Sequence, residues 1–318
     1  MKLIEDIVDG GHGLLIPPNP RYLFVHSTAN PGASALNHRN LYAGGNWKYS
    51  VQYVGDWTGV VYHTMKDNRK AYAVGNGNTY GVNFEICEGK TAEQFKKTWD
   101  NAVNFCAYYL LKRGWSIDRM MSHDECSRKW GGSDHTDPLP YFKKYGRTWQ
   151  QFKDAVAAKM KKGVWIEDSK GWWFIQSNGK WPKNKWLKLD AWYYFDSKGY
   201  ALRNKWSKIK GYWYHFDKDC RMQTGWKKLD GKWYYLNPAK DGSWPEGSAR
   251  TGWLKYKNDW YYLNKSGQGT ECSMRTGWLK EGEAWYYLQT AKEGIMACNE
   301  TLMIDGKSYT FDANGKMK

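Results

Sequence analysis

Between Ser122 and Pro138 the chain reads SHDECSRKWGGSDHTDP, seventeen residues that hold two histidines, three aspartates and a cysteine. Imidazole, carboxylate and thiolate are donors that Zn²⁺ accepts, and a catalytic zinc takes three protein ligands while keeping one position open for water. His123, His135 and Asp137 are the candidates inside the stretch. His135 and Asp137 are two apart, so they share a face if the segment is extended, and His123 then comes in from across a loop. His26 offers a further ligand. It ends the apolar run Tyr22-Leu23-Phe24-Val25, which reads as a buried strand whose end presents a functional group rigidly. Cys126 is read as a buried structural thiol.

Zinc held by two histidines and an aspartate lowers the pKa of its water towards ~7 and polarises a carbonyl, which suits the hydrolysis of an amide. That reaction also needs a proton acceptor and a donor to the oxyanion. Glu85, a carboxylate inside the strand-like stretch from Tyr80 to Cys87, and whichever histidine does not bind metal fit those roles. His12, His38, His63 and His215 read as surface or packed residues.

The elements that must position these groups are legible in outline. Residues 1–162 read as an α/β domain, a mixed central sheet flanked by helices. Two strands, Tyr49 to Gly55 and Val60 to Met65, flank the hairpin loop Asp56-Trp57-Thr58-Gly59. Thr91-Ala92-Glu93-Gln94 opens a helix that runs to about Arg113 and stops at Gly114, and a second box from Thr148 to Gln151 opens a shorter one that ends at Gly163.

From residue 163 to 318 the pattern changes. Only six of the 21 tryptophans precede residue 160, and the rest recur in units of about twenty residues. Each unit reads as a β-hairpin, and because one hairpin is marginal alone, the units are expected to stack into an all-β solenoid. Trp206 with Trp213, Trp226 with Trp233, Trp253 with Trp260 and Trp278 with Trp285 are candidate walls of aromatic cages, closed by tyrosines such as Tyr235 or Tyr262. Such a cage attracts a quaternary ammonium, at ~1–2 kcal/mol per ring. Two longer units, Asn237 to Arg250 and Asn264 to Arg275, are expected to remove or reshape the sites they interrupt.

The net charge of +16 is spread over both halves and favours polyanionic partners. No helix-turn-helix, zinc-finger spacing or RNP-like run is visible, so nucleic acid is not expected. No run of eighteen apolar residues occurs, and acidic residues stand where a signal peptide carries its apolar region. Synthesis in the cytoplasm without a signal peptide, and no membrane insertion, are therefore expected, consistent with cysteines that form no regular framework.

Four segments, Phe24-Val25-His26-Ser27-Thr28-Ala29-Asn30-Pro31, Phe84-Glu85-Ile86-Cys87, Ser122-His123-Asp124-Glu125-Cys126 and Ser133-Asp134-His135-Thr136-Asp137-Pro138, resemble the type 2 N-acetylmuramoyl-L-alanine amidases. The C-terminal units resemble choline-binding repeats, and the two together resemble autolysins and phage endolysins. The resemblance implies a peptidoglycan hydrolase with Zn²⁺ as cofactor, His26, His123 and Asp137 as its ligands, Glu85 activating water and His135 stabilising the transition state. It implies peptidoglycan and choline or phosphocholine on teichoic acids as partners, a homodimer through the C-terminal repeats as an assembly, and action on the cell wall after release.

Overall fold

The computed structural model describes residues 1–8, 20–44 and 50–318. His12 and Tyr49 lie outside these residues. The chain divides by packing into one unit of Met1–Leu187 with Phe195–Ala201, and another of Lys188–Tyr194 with Leu202–Lys318.

The first unit runs β1 (Lys2–Glu5), β2 (Tyr22–Ser27), α1 (Ala35–Ala43), β3 (Tyr53–Gly55), β4 (Val60–His63), β5 (Gly81–Ile86), α2 (Ala92–Arg113), β6 (Met120–Ser122), α3 (His123–Trp130), α4 (Leu139–Lys144), α5 (Trp149–Lys162), β7 (Val164–Asp168) and β8 (Gly171–Ile175). Its strands form one mixed sheet in the order β6-β2-β5-β3-β4-β1-β7-β8. Leu23, Phe24 and Val25 are inaccessible to solvent, which is why β2 is apolar without alternation: it pairs in parallel with β5 and β6 and is covered on both faces. β3 and β4 make the antiparallel hairpin around Asp56, whose carboxylate accepts from Thr58 N at 2.8 Å and from Ala35 N at 2.8 Å.

The two long helices start where their caps predict. The Thr91 side chain accepts from Gln94 N and the Thr148 side chain from Gln151 N, and α2 ends at Gly114 in the left-handed conformation, φ 64°. Phe95, Ala102, Phe105, Cys106 and Tyr109 of α2 join Phe152 and Val156 of α5 in the core beside the sheet. Each such fully buried large side chain contributes roughly 1.5–3 kcal/mol relative to exposure.

The first aromatic hairpin belongs to the first unit and extends its sheet. β7 pairs in parallel with β1 through Lys2 and Glu167, and Trp173 of β8 meets Tyr108 of α2 edge-on at 5.7 Å. Composition changes at residue 163, whereas packing changes only near Leu187, because β1 leaves a sheet edge that β7 and β8 cover.

In the second unit, antiparallel hairpins follow one another: Lys205–Ile209 with Tyr212–Phe216, Gly225–Leu229 with Lys232–Leu236, Gly252–Tyr256 with Asp259–Leu263, Gly277–Glu281 with Ala284–Gln289, and Thr301–Ile304 with Lys307–Thr310. Asp230 and Gly231, with φ of 49° and 76°, make the tight turn whose twist suits such hairpins. Neighbours are tied by backbone bonds, Ala249 N to Trp213 O at 2.8 Å, Met274 N to Trp233 O at 2.7 Å and Met317 N to Trp285 O at 2.9 Å. Both long insertions close on the same clamp: Asn237 N donates to Ser248 O and Asn264 N to Ser273 O, each at 2.8 Å. Among the described residues no helix is long and apolar enough to cross a membrane.

Candidate active site and aromatic cages

Val25 and Ser122 are register partners on the adjacent parallel strands β2 and β6, so the residues that follow them, His26 and His123, emerge side by side. His123 does not cross a loop. It is the first residue of α3, because Ser122 caps that helix: its Oγ accepts from Glu125 N at 3.1 Å, and the Glu125 carboxylate accepts from Ser122 N at 2.9 Å. The Ser-x-x-Glu spacing that specifies this box is in the sequence. Beyond α3 the chain leaves through Gly131 and Gly132, both at positive φ, and a Cβ on Gly132 would stand 2.8 Å from Asn76 Cγ. This close exit turns the segment bearing Ser133, His135 and Asp137 back over the sheet.

The side chains then converge. His26 Nδ1 lies 3.1 Å from His123 Nδ1, and Asp137 places Oδ1 3.0 Å from His123 Nδ1 and Oδ2 3.4 Å from His26 Nδ1. Asp137 is held by two backbone bonds, Ser27 N to its Oδ2 at 3.1 Å and His123 N to its carbonyl at 3.1 Å. The outer nitrogen of each ring is also engaged. His26 Nε2 is 3.0 Å from Asn83 Oδ1, an acceptor, so Nε2 carries the proton and Nδ1 presents its lone pair inward. Asn83 is aimed in turn by Gln52, whose Oε1 accepts from Asn83 N at 2.8 Å and Nδ2 at 3.3 Å. His123 Nε2 meets Ser133 Oγ at 2.8 Å.

The donor atoms of His26, His123 and Asp137 all lie within 4.8 Å of one another. Two buried imidazoles with inward nitrogens, outer nitrogens already bonded, and one carboxylate are a donor set that fits Zn²⁺. The electrostatics point the same way. Burial opposes a charge on His26, yet Asp137 and Glu85 outweigh it and hold its pKa raised, while burial lowers that of His123. Asp137, despite its own burial, is held well below the usual carboxylate range by the two histidines. The site is built to stabilise positive charge.

Glu85 is the register partner of His26 on β5, and its Oε2 is buried without a hydrogen bond among the described residues. Burial, with repulsion from Asp137 and Glu88 and against the pull of His26, pushes its pKa up to about 7. His135 stands at the mouth, its side chain 66% exposed, with Nδ1 3.8 Å from Asp137 Oδ1 and its ring 5.0 Å from that of His123. Cys126 is inaccessible among Phe24 and Val74, and burial pushes its thiol up to about 12. Sequence reasoning missed Asn83, Gln52 and Ser133. Asn83 had a signal, since it lies two residues before Glu85 on the same face of a strand.

In the repeats, Trp226 and Trp233 stand edge to face at 6.4 Å, and Tyr261 of the following hairpin meets Trp226 at 5.1 Å. These rings, with Tyr256, Met274 and Glu293, line a cavity of about 260 Å³. The same trio recurs as Trp253, Trp260 and Tyr286, and as Trp278, Trp285 and Tyr309, and Trp206 with Trp213 meets Tyr234 at 4.8 Å from Trp206. Tyr235 and Tyr262, expected as closing rings, are instead buried, at 9% and 0% exposure, opposite Trp226 and Trp253 of their own hairpins. The middle tyrosine of each Trp-Tyr-Tyr points to the other face, and that face meets the preceding hairpin. Nor do the insertions remove the trios. They bring carboxylates to indoles, Glu246 to Trp192 Nε1 at 3.1 Å and Glu271 to Trp213 Nε1 at 3.0 Å.

Residues 17–140 match the family model of N-acetylmuramoyl-L-alanine amidases. The choline-binding repeat model matches residues 203–244, and a cell wall binding repeat model matches residues 184–201, 251–268 and 276–290. Residues 17–140 are thus similar to an amidase domain, and the matched segments from residue 184 on are similar to choline-binding and cell wall binding repeats. The chain is 29% identical over 171 residues to N-acetylmuramoyl-L-alanine amidase CwlA of Bacillus subtilis, covering 51% of this chain and 59% of that protein. To the lytic amidase of Streptococcus pneumoniae phage HB-3 it is 38% identical over 188 residues, 54% of this chain and 58% of that one. The crystal structure of choline binding protein F from Streptococcus pneumoniae shares 33% identity over 48% of this chain and 51% of its own, with a TM-score of 0.41. The chain spans less than two thirds of the length of each of these relatives.

Proposed function

We propose that this chain is a zinc-dependent N-acetylmuramoyl-L-alanine amidase, which hydrolyses the amide between the lactyl group of muramic acid and L-alanine in peptidoglycan and is held on the cell wall by its aromatic repeats. The observation that carries this reading is the convergence of His26, His123 and Asp137 beside a half-buried, weakly acidic Glu85. His26, His123 and Asp137 hold the zinc. When bound, the ion supplies Lewis acidity to the scissile carbonyl and to water.

Glu85 accepts the proton of the attacking water. Among the described residues its Oε2 has no competing hydrogen bond, and its pKa near neutrality suits a group that must both take that proton and return it to the departing amine of alanine as the C–N bond breaks. His135, exposed at the mouth, donates to the oxygen that gains charge. Asn83, Gln52 and Ser133 keep the two ligand rings turned inward. The ring trios of the repeats take the choline head group, and the basic surface favours the phosphates of a teichoic-acid chain.

The test is incubation of the purified chain with cell walls, with and without a chelator. Release of new L-alanine amino termini, abolished by chelation and restored by zinc, is expected. New reducing sugar ends would indicate a glycosidase, and binding without any release would indicate a recognition protein; either result rejects the amidase.

A further inference from the structure

A second cluster of rings and charges lies in the first unit, at the far end of the two elements that carry His26 and His123. β2 opens with Tyr22 and reaches His26 ~13 Å further along the strand, while α3 opens with His123 and closes with Trp130. Tyr22 meets Trp130 edge to face at 5.5 Å, and Tyr80 stacks on Trp130 at 5.0 Å, so the three half-buried rings form a row.

Cations follow that row. Arg119 stands 5.4 Å from the centre of the Tyr22 ring, Lys129 5.0 Å from Tyr22 and 4.8 Å from Trp130, and Arg21 5.3 Å from Tyr80. All three are exposed, and among the described residues none of them pairs with a carboxylate. A ring face attracts a cation but carries no net charge, so these charges stay uncompensated. Their neighbours are neutralised instead: Arg128 Nη2 meets Asp124 Oδ2 at 2.7 Å, and Lys153 Nζ meets Glu125 Oε1 at 3.0 Å. Tyr22, Arg119, Lys129 and the Lys153–Glu125 pair line a cavity of about 490 Å³. Asp118, with Ser116 Oγ at 3.4 Å, is its one carboxylate without a cationic partner among the described residues, so the pocket keeps an excess of positive charge.

We infer that this row is a docking surface for a phosphodiester-linked polyol chain of the cell wall, which runs across the first unit and leaves the metal site open. A lone anion would engage one of the cations, whereas charges spaced along a row of rings match a chain that presents an anion at each repeat. The fork of Arg119 and the point charge of Lys129 both suit the oxygens of a phosphate. The rings hold the cations in place beforehand, so less side-chain freedom is lost when the chain arrives. The choice of a wall polymer rests on the reading of the chain as a cell-wall hydrolase, and the net charge of +16 favours a polyanion in any case.

The experiment is a titration of labelled poly(glycerol phosphate) with the full chain, followed by fluorescence anisotropy. This polymer carries no choline and no muramoyl amide, so neither the cages nor the metal site enters the result. Arg119→Ala with Lys129→Ala is compared with Lys143→Ala with Lys144→Ala, which removes the same charge from α4 and also takes a lysine off a ring, that of Tyr145. All four side chains are exposed, and thermal melts check that both variants stay folded. The first pair should bind roughly ten-fold more weakly, the size of two screened charge contacts, with the difference shrinking in salt, while the second pair stays close to the unaltered protein. Equal losses in the two pairs would assign binding to the general positive field and reject the surface. An equal loss towards polyglutamate would reject the phosphate assignment, and patch-dependent binding of phosphatidylglycerol vesicles without binding of the polymer would give the surface to a lipid head group. No binding of the polymer by the unaltered protein also rejects it.

Discussion

His26 and His123 meet nitrogen to nitrogen, Nδ1 to Nδ1 at 3.1 Å, because each is the first residue beyond a paired position on adjacent parallel strands. At that distance the two nitrogens share one proton or one cation between them. Asp137 closes the triangle from a third segment.

Removing a corner of that triangle should remove the metal. His26→Ala and Asp137→Ala are expected to purify with little zinc, whereas Glu85→Gln should keep its zinc and lose turnover by roughly 10²- to 10⁴-fold, the contribution of a positioned acid–base group. Metal content by mass spectrometry beside the rate of L-alanine release checks both. A Glu85→Gln protein without zinc, or with near-normal turnover, would overturn the assignment.

The groups behind the ligands should matter for affinity. Asn83→Ala and Ser133→Ala free the outer nitrogens of His26 and His123, and each is expected to weaken zinc binding by roughly 10- to 100-fold, measured by competition with a chromogenic chelator.

In the proposed mechanism Glu85 works as a carboxylate, so activity should fall as pH drops through its pKa. The protein alone raises that value to about 7, and a bound cation lowers it, so the acid limb of the kcat/KM profile is expected at or below neutrality. A limb that survives unchanged in the residual activity of Glu85→Gln would assign it to another group.

Asp67 is a stability element. It accepts from Tyr53 Oη at 2.8 Å, Tyr109 Oη at 2.9 Å and Arg113 Nη2 at 2.6 Å, and faces His63 Nε2 at 3.4 Å. Against its burial, these partners hold its pKa well below the carboxylate range, and Asp67 with Glu5 raises that of His63 despite burial. The Asp67 contribution is therefore complete above its unfolded value of about 3.8 and lost as pH falls through the folded one, whereas the His63 contribution is complete below about 6.5 and lost as pH rises through its raised value. Asp67→Asn should cost about 1.5–3 kcal/mol near pH 6 and flatten both slopes, as read from urea midpoints across pH.

The closing ring of each cage is testable by paired substitutions. Tyr261→Ala should weaken choline binding, with a loss of ~1–2 kcal/mol at the Trp226–Trp233 cage, while Tyr235→Phe, which keeps a buried ring, should leave the choline titration unchanged. The reverse pattern in a fluorescence titration would return the role to Tyr235.

Features that depend on neighbours along the chain were legible in the sequence alone. The caps at Thr91 and Thr148 specify α2 and α5, because a side-chain oxygen reaches an amide only three residues on. Alternating rings around tight turns specify the hairpins, since strand periodicity and turn backbone are local. The donor types of the metal site were visible too, and His26, His123 and Asp137 could be named through their resemblance to a family. The sequence could not say what each would meet, because His26 and His123 are 97 residues apart and Ser27 and Asp137 are 110 apart, and only the pairing of β2 with β6 brings them together. The weak acidity of Glu85, the tautomer of His26 set by Asn83, and the docking of β7 on β1 have the same origin: each is decided by burial or by a partner from a distant segment. In the repeats, the register within a hairpin is local, but the ring that closes a cage comes from the next hairpin. Stacking therefore brings Tyr261 and its equivalents to the tryptophan pairs from the next hairpin, while Tyr235 and Tyr262 lie buried against Trp226 and Trp253 of their own hairpins.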